Sequence, residues 1–237
     1  MPSNGTRPKK ILSLGFSSFL TQIPVVLSMA AVLNMLKTYG AKDPVFSLPQ
    51  YAHIPVAVVG IVMKLFQIVI SMSIGLAAGC IPVVGYNNGA GKKERVIEIM
   101  KILMIIELAL GLISSIILIG GRDLLITIFG GNGESEYYRA FAEKAITYFL
   151  SLLILSTFNK GATIFLQATG DAKSASVLSL IREIVMGVGL PIILSRLFGL
   201  EGLLWFMPIG DLITAFFSVY YLRQTKRRIG MKDIALI

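Results

Sequence analysis

Charge is scarce in this chain: 15% of its 237 residues are Asp, Glu, Lys or Arg, and 55% are hydrophobic. Soluble domains carry about 25% charged and about 45–50% apolar residues. A mean hydropathy of +0.78 therefore excludes an ordinary cytosolic enzyme and a disordered tail. Cysteine and histidine occur once each, as Cys80 and His53. A lone cysteine closes no internal disulfide, which excludes a secreted disulfide scaffold; inside an apolar run it reads as a small packing residue. The sequence has no HExxH, no GxSxG and no His/Cys ligand set for a metal, so neither an enzyme nor a resident cofactor is expected. Acidic residues number 13 against 22 basic ones, a formal net charge of +9. The basic residues sit in short segments between apolar runs, which is a membrane-topology pattern, and no nucleic-acid partner is expected.

Long apolar runs supply the architecture. They recur at about Ile11 to Leu36, Ile54 to Val84, Val96 to Ile119, Ala145 to Ala168, Ser174 to Leu194 and Gly202 to Leu222. A span needs about 20 apolar residues, whereas barrel strands alternate over about ten, so the class is an all-α membrane protein with six transmembrane helices. The first run is too long for the core of a signal peptide. Three segments follow: a basic cytoplasmic linker at 1–10, a six-helix transmembrane region at 11–222 and a basic cytoplasmic tail at 223–237. One side of the bilayer receives Arg7, Lys9, Lys10, Lys92, Lys93, Arg95, Lys101, Lys173, Arg223, Lys226, Arg227, Arg228 and Lys232. The other receives Lys37, Lys42, Arg122, Arg139, Lys144 and Arg196. The positive-inside rule then places both termini in the cytoplasm of a multi-pass cell-membrane protein. Pro44 and Pro49 shape the external connection, Pro55 suits the start of a helix, and Arg122 to Phe129 reads as a short interfacial helix.

Lys64, Lys160 and Arg182 fall within spans, each costing about 2.5–3.5 kcal/mol at a helix centre. Glu107, Glu183 and Asp211 are the acids available to offset them, with no pairing fixed by the sequence. On the fourth span Ser156, Asn159, Lys160, Thr163 and Gln167 share one face. The second span aligns Gly60, Lys64, Gln67, Ser71 and Gly75, the sixth aligns Pro208, Asp211, Thr214 and Ser218, and the first aligns Ser17, Thr21, Pro24 and Ser28. Such stripes either let helices approach and hydrogen-bond or line a water-filled cavity. Lys64, Gln67, Asn159, Lys160, Gln167 and Asp211 are the candidate cavity residues. Pro24, Pro191 and Pro208 are candidate kinks, serving movement or static shape. The run Gly85-Tyr-Asn-Asn-Gly-Ala-Gly-Lys-Lys93 superficially looks like a phosphate loop, but Tyr86 and Lys93 stand where glycine and a magnesium-binding hydroxyl are needed.

Several runs together resemble one family. They are Gly15-Phe-Ser-Ser-Phe-Leu-Thr-Gln22, Gly75-Leu-Ala-Ala-Gly-Cys-Ile-Pro-Val-Val-Gly-Tyr-Asn-Asn-Gly-Ala-Gly-Lys-Lys-Glu-Arg-Val96, Phe165-Leu-Gln-Ala-Thr-Gly170, Leu197-Phe-Gly-Leu-Glu-Gly202 and Pro208-Ile-Gly-Asp211. In order and context they resemble the carboxy-terminal half of multidrug and toxic compound extrusion (MATE) transporters. The resemblance implies a six-helix lobe of a two-lobed antiporter. Such an antiporter exports organic cations and other drug-like molecules against inward sodium or proton flow, by rocking about a central cavity. It also implies a second lobe, as a homodimer, a partner or part of a longer chain, and reads Met1 to Lys10 as an inter-lobe linker. The chain departs from the family where some members carry acidic cation sites, having Gln22 and Lys160 instead. Flipping of a lipid-linked precursor and a non-transporting fragment are the alternatives.

Overall fold

The protein is described here by a computed structural model covering residues 6–130 and 135–229, with side chains described from 23 onward. Every element among the described residues is helical: α1 (Thr6–Gly40), α2 (Ile54–Gly89), α3 (Lys93–Gly120), α4 (Arg122–Gly130), α5 (Glu136–Leu150), α6 (Leu153–Ala168), α7 (Ala172–Leu180), a π-helical segment (Ile181–Gly189), α8 (Leu190–Leu204) and α9 (Phe206–Ile229). Taken end to end, these form six long rods, as expected for one MATE-type lobe, the fifth ending where Gly199 (φ +64°, ψ −143°) breaks α8 into two helical stretches. Five are long and apolar enough to cross a membrane; the sixth, α9, carries Asp211 and a basic end and packs among them. Helix α1 starts at Thr6, so the expected linker is helical over 6–10, while 1–5 and 230–237 lie outside the described residues.

Helix α3 shows how the sequence selects its faces. Val96, Met100, Leu103, Met104, Glu107 and Gly111 recur every three or four residues and are buried, while Ile102, Ile105, Ile113, Ile116 and Ile117 face outward. An apolar outer surface suits hydrocarbon, because the bilayer takes the place of a polar solvent. The turns joining α2 to α3 and α6 to α7 use Gly91 (φ +69°) and Gly170 (φ +83°), a backbone region where a Cβ is strained. Pro55 sits in the first turn of α2, and Arg122–Gly130 is a short helix presenting Leu124, Ile128 and Phe129 outward.

Apolar packing divides into two clusters. One joins Val32, Leu36, Val58, Val62, Phe66, Phe149, Leu150, Leu203 and Phe206; the other joins Ala77, Val84, Met100, Leu103, Phe165, Leu166, Leu178 and Leu222. Between them along α2, α3, α6 and α9 lie the buried polar residues Ser73, Glu107, Ser156, Thr157, Asn159, Asp211, Thr214 and Ser218. The lobe is thus two greasy ends joined by a polar middle.

The prolines fall differently from one another. Pro24 is inside α1 and buried. Pro208, expected as a kink within a span, is the third residue of α9, where a missing N–H costs no helical hydrogen bond. Pro191 follows the π-helical segment and has no N–H for the carbonyl of Gly187, four residues back. That carbonyl accepts instead from Ser28 Oγ of α1 at 3.0 Å, and the Ser28 hydroxyl occupies the space a Cβ at residue 187 would take.

Candidate functional site

The polar middle is built on one ion-paired cluster where α6, the π-helical segment and α9 meet. Arg182 opens the wide π turn, and its guanidinium reaches Asp211 of α9 with Nε and Nη2, each 3.1 Å from Oδ1. Its Nη1 donates to Glu183 Oε1 at 3.1 Å. The opposite carboxylate oxygen of Asp211 accepts from Ser156 Oγ, and Asn159 Nδ2 donates to the Asp211 backbone carbonyl at 2.9 Å. Ser218 Oγ lies within donating distance of Asn159 Oδ1 at 2.8 Å and of the Thr214 carbonyl at 3.0 Å. The Phe66 ring of α2 closes the site, 5.8 Å from the Arg182 guanidinium carbon. Side-chain exposures of 16% for Arg182 and 4% for Asp211 make this a largely desolvated pair, in which each guanidinium nitrogen and each Asp211 carboxylate oxygen has a partner.

Lys160 is half-buried on α6, where Arg182, Glu183 and Asp211 all act on it electrostatically. Among the described residues it forms no ion pair within 4.0 Å. Two cations and two carboxylates therefore share the cluster, with one cation held by both acids and the other not locked in place.

Of the sequence-chosen cavity residues, Asn159, Lys160 and Asp211 come together here. Lys64 and Gln67 are on the exposed side of α2, where Ser71 Oγ donates to the Gln67 carbonyl at 2.8 Å, and Gln167 is exposed near the end of α6. These three do not touch the cluster. Ser156, Arg182, Glu183 and Ser218 belong to it and were absent from the cavity set. Arg182 was visible as an intramembrane charge, and Ser156 and Ser218 lay on the polar stripes of their helices. The Ser17 and Thr21 part of the α1 stripe lies outside the described side chains. No group of three or more His, Cys, Asp or Glu residues suited to a metal is present among the described residues.

Known proteins agree with this architecture. The chain is 23% identical over 229 residues to the multidrug export protein MepA of Staphylococcus haemolyticus, an alignment covering 97% of this chain and 47% of that protein. It superposes on a structure described as the inward-facing conformation of a multidrug resistance MATE family transporter with a TM-score of 0.83 at 20% identity, covering 97% of this chain and 50% of the other. A Pyrococcus furiosus transporter of the MOP superfamily, for which a reverse polarity of the binding pocket is described as suggesting a different function, gives a TM-score of 0.81 at 19% identity, covering 98% and 49%. The chain spans about half the length of the relatives it matches. The MatE family pattern covers residues 45–193, and the chain, a multi-pass helical membrane protein, belongs to the MatE family.

Proposed function

We propose that this chain is one lobe of a cation-coupled exporter of drug-like organic molecules in the plasma membrane, with both termini cytoplasmic. It would work opposite a second six-helix lobe, supplied by another copy, a partner or further chain. The observation that carries this reading is the unlocked Lys160 beside the Arg182–Asp211 pair, midway between two apolar cores. Ionisable groups at such depth favour a water-filled path over a lipid-facing surface. Substrate would meet Lys160 at the cluster and Lys64, Gln67 and Gln167 on exposed faces, while Asn159 and Asp211 set the cluster's geometry. The interrupted α7–α8 rod and Pro24 would absorb the bending, and sodium or protons moving inward would drive export.

The test is retention of a cationic dye such as ethidium in cells producing the chain, with and without collapse of the sodium and proton gradients. Gradient-dependent dye loss above the empty-vector control supports the proposal; equal retention at confirmed membrane abundance contradicts it. One observation favours a second reading: Lys64, Lys160 and Arg182 are intramembrane cations, and among the described residues Lys160 has no ion-pair partner of its own. Such a lobe suits an anionic or lipid-linked precursor, and would then move a labelled lipid-linked anion rather than ethidium.

A further inference from the structure

A second buried acid lies outside the ion-paired cluster. Glu107 is 0% exposed on α3, facing α2 and α6. Its Oε2 is 2.6 Å from Ser73 Oγ, and among the described residues its Oε1 has no hydrogen-bond partner. The joint is tightly made: Thr157 Oγ1 donates to the Glu107 backbone carbonyl at 2.7 Å, and a Cβ at Gly161 would lie 2.6 Å from Glu107 Cγ and 3.4 Å from Oε1. The glycine is the notch into which the carboxyl fits.

No charge answers it. Among the described residues Glu107 makes no ion pair within 4.0 Å. From α2 the titratable group in electrostatic reach is the Cys80 thiol. From α6, Lys160 answers to Arg182, Glu183 and Asp211 instead. On α4 and α5, Arg122 bonds Thr147, Arg139 pairs with Asp123 and Glu143, and Lys144 pairs with Glu201. A carboxylate buried with one neutral hydrogen bond and no counter-charge is the arrangement proteins avoid by neutralising the group. A hard metal cation would need several oxygen ligands, whereas Oε1 has no hydrogen-bond partner among the described residues.

We propose that Glu107 is a proton-binding site, occupied when α2, α3 and α6 are packed as they are here. Ser73 Oγ donates to the charged carboxylate; the proton comes from solvent water and resides on Oε2, where the bond reverses and Oε2 donates to Ser73 Oγ. Oε1 then becomes an uncharged carbonyl oxygen, the cheaper atom to leave unpaired. Releasing the proton requires the three helices to part enough for water to reach the carboxylate. The site reports on the lobe's internal packing and stands independently of what the protein transports.

Infrared spectroscopy of the purified full chain in detergent at neutral pH tests this. The carbonyl stretch of a protonated carboxyl is expected in the wild type and missing in Glu107→Gln, and Ser73→Ala should shift the same band because its hydrogen bond is lost. Ser73→Ala keeps the test decisive if Glu107→Gln does not accumulate. A spectrum in which neither variant alters a protonated-carboxyl band overturns the proposal.

Discussion

The lobe holds two buried polar sites that manage charge in opposite ways. At the α6–π–α9 junction, Arg182 engages both Asp211 and Glu183, and every oxygen of the Asp211 carboxylate has a donor. At the α2–α3–α6 joint, a single carboxyl faces one serine, a glycine notch and an unpaired oxygen. The first is a balanced set of two cations and two acids in which Lys160 makes no ion pair within 4.0 Å among the described residues; the second is a close-packed seam that tolerates an acid only without its charge. The difference teaches that intramembrane polarity is not one signal: matched ions leave a site able to answer an incoming charge, while a lone acid answers only a proton.

Removing one side of the balanced set should produce the largest effect. Arg182→Met leaves Asp211 and Glu183 without the cation that hydrogen-bonds both of them, Lys160 lying outside ion-pair distance, and should cost about 3–5 kcal/mol, read as reduced resistance to unfolding in detergent. Adding Asp211→Asn to it should recover a substantial part, since the orphaned charge goes with it. A loss that simply adds would break the comparison by showing that the two residues act separately.

Crowding the seam should come next. Gly161→Ala places a methyl 2.6 Å from Glu107 Cγ, and overpacking of this kind costs about 1–3 kcal/mol. Glu107→Ala in the same chain should relieve that clash, so the double variant melts higher than the sum of the single effects predicts.

A smaller effect is expected at Asp171, which caps α7 by accepting from Ser174 N at 3.2 Å and also pairs with Arg228 Nη1 of α9 at 2.9 Å. Asp171→Ala should cost about 0.5–2 kcal/mol, measured by the same unfolding assay. The smallest is Lys64→Ala, where an exposed side chain with no ion pair among the described residues should change stability by no more than about 0.5 kcal/mol. A fall in export from that variant at unchanged melting temperature would sharpen the distinction between packing and transport residues.

Much of this architecture was legible in the residues. The long helices over the apolar runs and the short helix at Arg122–Gly130 follow from apolar length and spacing. The polar stripe of α6 was visible too, because Ser156, Asn159 and Lys160 share a helical face whatever packs against it. The pairing was not: Arg182 and Asp211 are 29 positions apart and Ser156 and Asp211 are 55 apart, and helical periodicity carries no information on which rods adjoin. Pro208 misled because the apolar run continues through Trp205 and hides a helix start: α9 begins at Phe206, so Pro208 falls in its first turn. The exposure of Lys64 and Gln67 likewise depends on which face of α2 the other helices leave uncovered.

The central claim is that Lys160 serves transport while the ion pair beside it holds the fold, and Lys160→Ala measured twice on one preparation tests it most directly. Gradient-driven ethidium export should be lost in that variant while its melting temperature and membrane abundance stay at the wild-type level. Full export by Lys160→Ala, or a loss that merely tracks a collapse in melting temperature, would contradict the account.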